Sequence, residues 1–237
     1  MSTTNTSGAT RSMATTGLAM ALIAPAVHAA RPLATEDAGV LARGECEWES
    51  VGTRLQTEPG ATAHAWSTQL ACGAGGQTQL ALGYAHTKSI ASHDQALIFS
   101  GKSGLVDGGN EATSVAIAYG VNLLRTATTT FRLDATSLNL AVSRPLGGAL
   151  TAHANLGWLH TVNAPRNTAT WNLALEHSLA GGVDIGGEVY GDSRTSPMLG
   201  VGLRWTITSR LNLNASFATQ SGDDHARLFT VGTKWAF

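Results

Sequence analysis

The end of the chain constrains the fold more than any other stretch. Phe229, Val231, Trp235 and Phe237 alternate with Thr230, Gly232, Lys234 and Ala236. A strand built from them has one apolar face and one small or polar face. A terminal strand of this kind leaves an unpaired edge, which invites aggregation unless another strand covers it. Closure into a barrel removes that edge, and an apolar face turned outward then suits lipid.

The alternation can be followed back through the chain. Leu211, Leu213, Ala215 and Phe217 share one face, as do Leu199, Val201, Leu203, Trp205 and Ile207. Val183, Ile185 and Val189 form another such set; Trp171, Leu173, Leu175 and Leu179 form the next. Tight turns are expected at Thr208 to Arg210, Ala180-Gly181-Gly182 and Pro145-Leu146-Gly147-Gly148, with polar loops at 220–225, 191–196 and 163–167. Earlier strands are expected near 43–55, 63–72, 77–86, 94–101, 113–123 and 128–144. The last of these slips its apolar parity between Leu133 and Leu138, as a β-bulge would make it do. The reading is an all-β, antiparallel transmembrane β-barrel of about twelve strands, with short periplasmic turns and longer outer loops. Strands of about 10 residues tilted near 45° span about 23 Å, the height of an outer-membrane apolar band.

The alternative is a soluble sandwich or lipocalin-like barrel with the apolar face inward. The second face decides between them. Asn212, Asn214 and Ser216, then Gly200, Gly202 and Arg204, then Asn172, Ala174 and Glu176 cannot make a dry core, but they can line a hydrated lumen. Composition agrees. Charged residues are 13% of the chain and mean hydropathy is only +0.02. The part of the chain after the leader has no run of about 20 apolar residues such as a membrane helix needs. A net charge of −1 offers no footprint for nucleic acid.

Residues 1–29 read as a secretory signal peptide. Arg11 supplies the positive region, Met13 to Ala26 the short apolar core, and Val27-His28-Ala29 a small-residue cleavage site. Pro25 and the shortness of that core argue against an uncleaved anchor. Residues 30–42 have no period and form an N-terminal periplasmic or lumenal arm. Residues 43–237 form the barrel.

Two resemblances sharpen this reading. Thr230, Gly232, Trp235 and Phe237 resemble the terminal assembly signal of bacterial outer-membrane barrels. That resemblance implies outer-membrane lipid and the barrel assembly machinery as partners, and the cell outer membrane as location. Arg31-Pro32-Leu33, Thr35 and Glu36-Asp37-Ala38-Gly39, followed by Arg43-Gly44-Glu45-Cys46-Glu47-Trp48-Glu49, resemble the start of the phenol degradation meta-pathway (MetA-pathway) family. Glu36 stands where that family commonly has a second Asp. The resemblance implies an outer-membrane barrel described as a transporter, and the family name implies an aromatic or other hydrophobic solute.

On the inward face the sequence places Glu45, Glu47, Glu49, Glu176, Asp184, Glu188, Arg204 and Lys234. These form either a structural charge network in a narrow lumen or a selectivity filter. Cys46 and Cys72 fall opposite one another if their hairpin turns at Pro59, and export to an oxidising compartment favours a disulfide between them. Two separate buried thiols are the alternative.

No histidine cluster has metal-ligand spacing, so neither metal nor cofactor is expected. Ser100-Gly101-Lys102-Ser103 lacks the earlier Gly and the following helix of a phosphate loop. His177 and Ser178 point to opposite faces of a strand and cannot act as a nucleophile–base pair. The expected function is therefore a non-enzymatic channel or transporter for small solutes. A filled structural or receptor-type barrel and a lipid-modifying enzyme are the other readings.

Overall fold

The computed structural model describes residues 33–57, 60–90, 92–109, 111–162, 165–222 and 225–237. The signal-peptide reading, 1–29, and the first residues of the arm lie outside the described residues. Twelve antiparallel strands form a closed barrel in which every strand pairs with its sequence neighbours and β1 pairs with β12. They are β1 (Cys46–Thr57), β2 (Ala61–Gly75), β3 (Thr78–Ser89), β4 (His93–Val106), β5 (Ser114–Arg125) and β6 (Arg132–Gly147). The second half comprises β7 (Leu150–Thr161), β8 (Arg166–Ser178), β9 (Val183–Asp192), β10 (Met198–Thr206), β11 (Leu211–Gln220) and β12 (Arg227–Ala236).

The seam is the pairing that only closure can supply. Trp48 faces Trp235 and Glu49 faces Lys234 across it. Beyond the last strand residue, the Cys46 and Phe237 amides each donate to the other's carbonyl at 2.9 Å. The final strand thus has partners on both sides and no exposed edge.

Alternation sets the two faces. Leucine, valine and aromatic side chains point outward around the wall, with Leu156 at 65% and Val201 at 59% exposure. No dry protein core covers them; they form a surface made for hydrocarbon. The bulge read from the slipped parity of β6 lies opposite the junction of Asn122 and Leu123 of β5, where the register skips from Ala135 to Leu133. The strand itself begins at Arg132 rather than near residue 128, because Thr126 and Thr129 bond to each other in a turn.

Two features differ from the sequence reading. β1 to β8 have 12–16 residues, whereas β9 to β12 have the 9 or 10 expected of a bare membrane span. One wall of the barrel therefore runs further than the other. The connection 107–113, on the end that carries the termini, also runs against the general pattern of short turns there. It folds onto itself through Gly108, whose amide donates to Ser114 Oγ at 3.1 Å.

Inside, the wall is not uniformly polar. Leu55, Ala63 and Ala226 cluster with Leu228, and Tyr190, Met198 and Ala218 pack against Ala34 and Leu228. Ala34 does not belong to the wall. It comes from the N-terminal arm, which enters the barrel.

Candidate functional site

The arm, from Leu33 to Glu45, crosses the lumen from its root beside β2 to β9. Its extended backbone needs partners, because the amides and carbonyls of the wall are already committed to the sheet. Polar side chains on the inward positions of several strands provide them. Glu188 on β9 accepts three bonds, from the Ala34 amide at 2.8 Å, the Thr35 amide at 2.9 Å and Thr35 Oγ1 at 2.7 Å. Asn155 on β7 takes Glu36 from both sides, accepting from its amide at 2.7 Å and donating to its carbonyl at 2.8 Å. That exchange imitates a strand pairing with one side chain. Asn172 on β8 donates to the Ala34 carbonyl at 3.1 Å. The Ala38 amide donates to Ser143 Oγ on β6 at 2.9 Å, and the Leu41 amide to Gln79 Oε1 on β3 at 2.9 Å.

A charge pair holds the middle of the arm. Lys102 Nζ on β4 lies 2.7 Å from Glu36 Oε1 and 3.5 Å from Asp37 Oδ1. Asp37 also accepts from the Gly39 amide, which bends the arm there. Lys102 is 7% exposed, so its pairing with the arm's carboxylates removes a cost that a buried ammonium would otherwise carry alone.

Two glycines make room for the arm. A β-carbon at Gly73 would lie 2.0 Å from the Ala42 carbonyl oxygen. There the arm's root runs alongside β2, with a parallel bridge between Arg43 and Gly73 and a Gly44 amide bond to the Gly73 carbonyl at 3.0 Å. At the other end, a β-carbon on Gly186 would meet Leu33 Cδ1 at 2.7 Å. At Gly73 the missing side chain lets backbone approach backbone, and at Gly186 it leaves room for the Leu33 side chain.

The eight charged residues expected in the lumen do not form one network. Arg204 joins Asp184, with Nη2 2.8 Å from Oδ2, and Glu176, with Nη2 3.0 Å from Oε1. Lys234 pairs with Glu47 at 2.8 Å and stands across the seam from the buried Glu49. Glu188 serves the arm, and Glu45 accepts from the Ala42 amide at 3.0 Å at its root. Sequence reasoning missed Lys102, Asn155, Asn172, Ser143 and Gln79 as partners of the arm. Their inward parity was legible, but nothing in the sequence told which of them the arm would reach.

Cys46 and Cys72 are cross-strand partners and are joined by a disulfide across a separation of 26 residues. Of the terminal-signal positions, Trp235 and Phe237 point outward while Thr230 and Gly232 lie on the inward face. His177 and Ser178 sit on adjacent, opposed positions at the end of β8.

A closed, antiparallel, twelve-stranded wall with an apolar exterior and a polar, arm-filled interior defines an outer-membrane-type β-barrel. The chain belongs to the family described as "Uncharacterised conserved protein UCP029691", whose model matches residues 18–237. No curated protein matches it. Among solved structures it is similar to the KdgM porin, with a TM-score of 0.55 and 12% identity over 80% of this chain and 99% of that one. It is likewise similar to the NanC porin, with a TM-score of 0.56 and 8% identity over 79% and 98% of the two chains. A third is the COG4313 outer membrane channel from Pseudomonas putida F1, with a TM-score of 0.57 and 10% identity over 85% and 98%. At these identities the likeness establishes the fold: these are porins and channels, and the chain shares their barrel.

Proposed function

We propose that the protein is an outer-membrane channel for small solutes whose lumen is occupied by its own N-terminal arm, and that passage requires the arm to shift. The observation that carries this reading is how the arm is held. Among the described residues its bonds in the lumen run to side chains and one ammonium, while its backbone meets the backbone of the wall at its root, where Arg43, Gly44 and Glu45 lie against Gly73. Side-chain contacts of this kind can be exchanged for water or for a solute without opening the sheet.

The N-terminal resemblance to the meta-pathway family points to aromatic or other hydrophobic solutes. The arm's seat adds a preference. With Glu36 and Asp37 gone, Lys102 would face the lumen beside Asn155, Ser143 and Gln79, a setting suited to a carboxylate on such a solute. The assembly machinery enters as a proposed partner through the aromatic chain end.

The competing reading is a structural barrel whose filled lumen conducts nothing, and the same arm favours it if the arm never moves. Planar-bilayer recording decides between them. The full chain is expected to show small or brief openings, and a chain lacking residues 33–42 a larger steady conductance. Benzoate should block that current more strongly than uncharged toluene. Absence of current from both chains, each refolded to a heat-modifiable barrel, would establish the structural reading instead.

A further inference from the structure

A second feature lies on the outside of the wall, away from the lumen. Arg54 of β1 is the cross-strand partner of His64 of β2; His64 is the partner of Lys88 of β3, and Lys88 of His93 of β4. All four are exposed and have the outward parity of Trp66 and Leu82. Arg125 of β5, opposite Gln95, and Arg227 of β12, opposite Gln56, extend the row at both ends. It lies toward the loop end of the barrel, away from Phe237. None of the six makes an ion pair among the described residues, and the outward positions of β1 to β4 carry no Asp or Glu.

Arg54, Lys88, Arg125 and Arg227 give this level four permanent positive charges, each facing a histidine or a glutamine rather than a carboxylate. Arg54 and Lys88 stand two strand spacings apart, about 9–10 Å, with the His64 ring between them, so one multiply charged anion can meet both. On β9 to β11 the same level is uncharged: Gly191, Leu199 and Thr219 hold the loop-end outward positions. The level is also telling. Immediately beneath the cations, Trp66 and Tyr84 stand with ring centroids 6.2 Å apart, as aromatics do at a membrane interface. Deeper still, Leu70, Leu82, Phe99 and Val121 are exposed and run in register across β2 to β5.

We propose that this face of β12 and β1 to β5 binds lipopolysaccharide, the cationic row taking the phosphates of lipid A and the apolar row beneath it the acyl chains. The partner is fixed by chemistry and position together. A multiply charged anion must lie at the headgroup level of the leaflet on the loop side, with several hydrocarbon chains directly below. Arginine and lysine give charge-assisted bonds to phosphate oxygens, and the two histidines add donors between them. This inference rests on the outer-membrane placement proposed above but not on conduction.

The test uses the full chain refolded in detergent, exposed to bisphosphorylated lipid A or to fully dephosphorylated lipid A, and freed of unbound lipid by gel filtration. Folding is verified by heat-modifiable migration. The wild-type protein should retain the bisphosphorylated form and release the dephosphorylated one. Arg54→Gln with Lys88→Gln should lower retention at least tenfold without changing bilayer conductance. Arg144→Gln, which removes an exposed charge at the opposite end of the wall, should leave retention unchanged. Equal retention of both lipids by the wild type, or full retention by the double variant, would overturn the proposal. If the double variant fails to fold, the comparison of the two lipids on the wild type still decides the matter.

Discussion

Lys102 and Glu36 meet at 2.7 Å in the middle of the lumen, one from the fourth strand and the other from a segment before the first. The pair joins wall to arm with both side chains nearly buried, at 9% and 12% exposure. Breaking a buried pair by removing one member typically costs about 3–5 kcal/mol, because the other charge remains in place. Lys102→Met should therefore weaken arm docking by about 3 kcal/mol, raising the undocked population roughly a hundredfold. Limited proteolysis within residues 33–42 should accelerate while the barrel stays resistant. An unchanged cleavage rate would show that Lys102 does not hold the arm.

Gly73→Ala reaches the same arm from its root. The added methyl would overlap the Ala42 carbonyl oxygen at 2.0 Å, and backbone cannot yield as a flexible side-chain tip can. The strand should survive, since alanine fits an extended conformation, but the arm should leave its place beside β2. A spin label at position 40 is expected to gain mobility in this variant, with heat-modifiable migration of the barrel preserved.

Arg204 neutralises two carboxylates at once, Asp184 and Glu176. Arg204→Ala leaves both without their cation and should lower stability to denaturant by about 3–5 kcal/mol. Adding Asp184→Asn and Glu176→Gln should recover much of that loss. If Arg204→Ala instead alters ion selectivity with unchanged stability, the triad acts on solutes rather than on the fold.

The disulfide between Cys46 and Cys72 closes a hairpin with a separation of 26 residues. Loop-closure entropy sets its contribution at about 3.5 kcal/mol, an upper figure for a hairpin that pairs anyway. The denaturant midpoint should fall in Cys46→Ser with Cys72→Ser. Alkylation of the native, unreduced protein should add no mass; two labelled thiols would contradict the bond.

Phe237 closes the seam through its backbone bonds to Cys46 while its ring stays outside, 59% exposed. Its deletion removes both bonds and one signal aromatic. The yield of assembled barrel in cells should fall sharply, whereas any barrel that does assemble should conduct as before.

The alternation of residues marked the strands and their two faces, because a period of two leaves no choice about which side chains share a face. The polar second face, with Asn212, Asn214 and Arg204, told which side meets lipid. Phe229, Val231, Trp235 and Phe237 determined the lipid side of the last strand, and the parity slip between Leu133 and Leu138 marked the bulge. The opposition of Cys46 and Cys72 followed from a hairpin centred on Pro59, since antiparallel partners keep a constant index sum. The filling of the lumen was not legible in this way. Residues 33–42 have no period, so their sequence names no face and no partner. Glu36 finds Lys102 and Asn155, which lie 66 and 119 positions along the chain. Only closure of the wall brings those strands around one space, and only then do Gly73 and Gly186 become the gaps through which the arm fits.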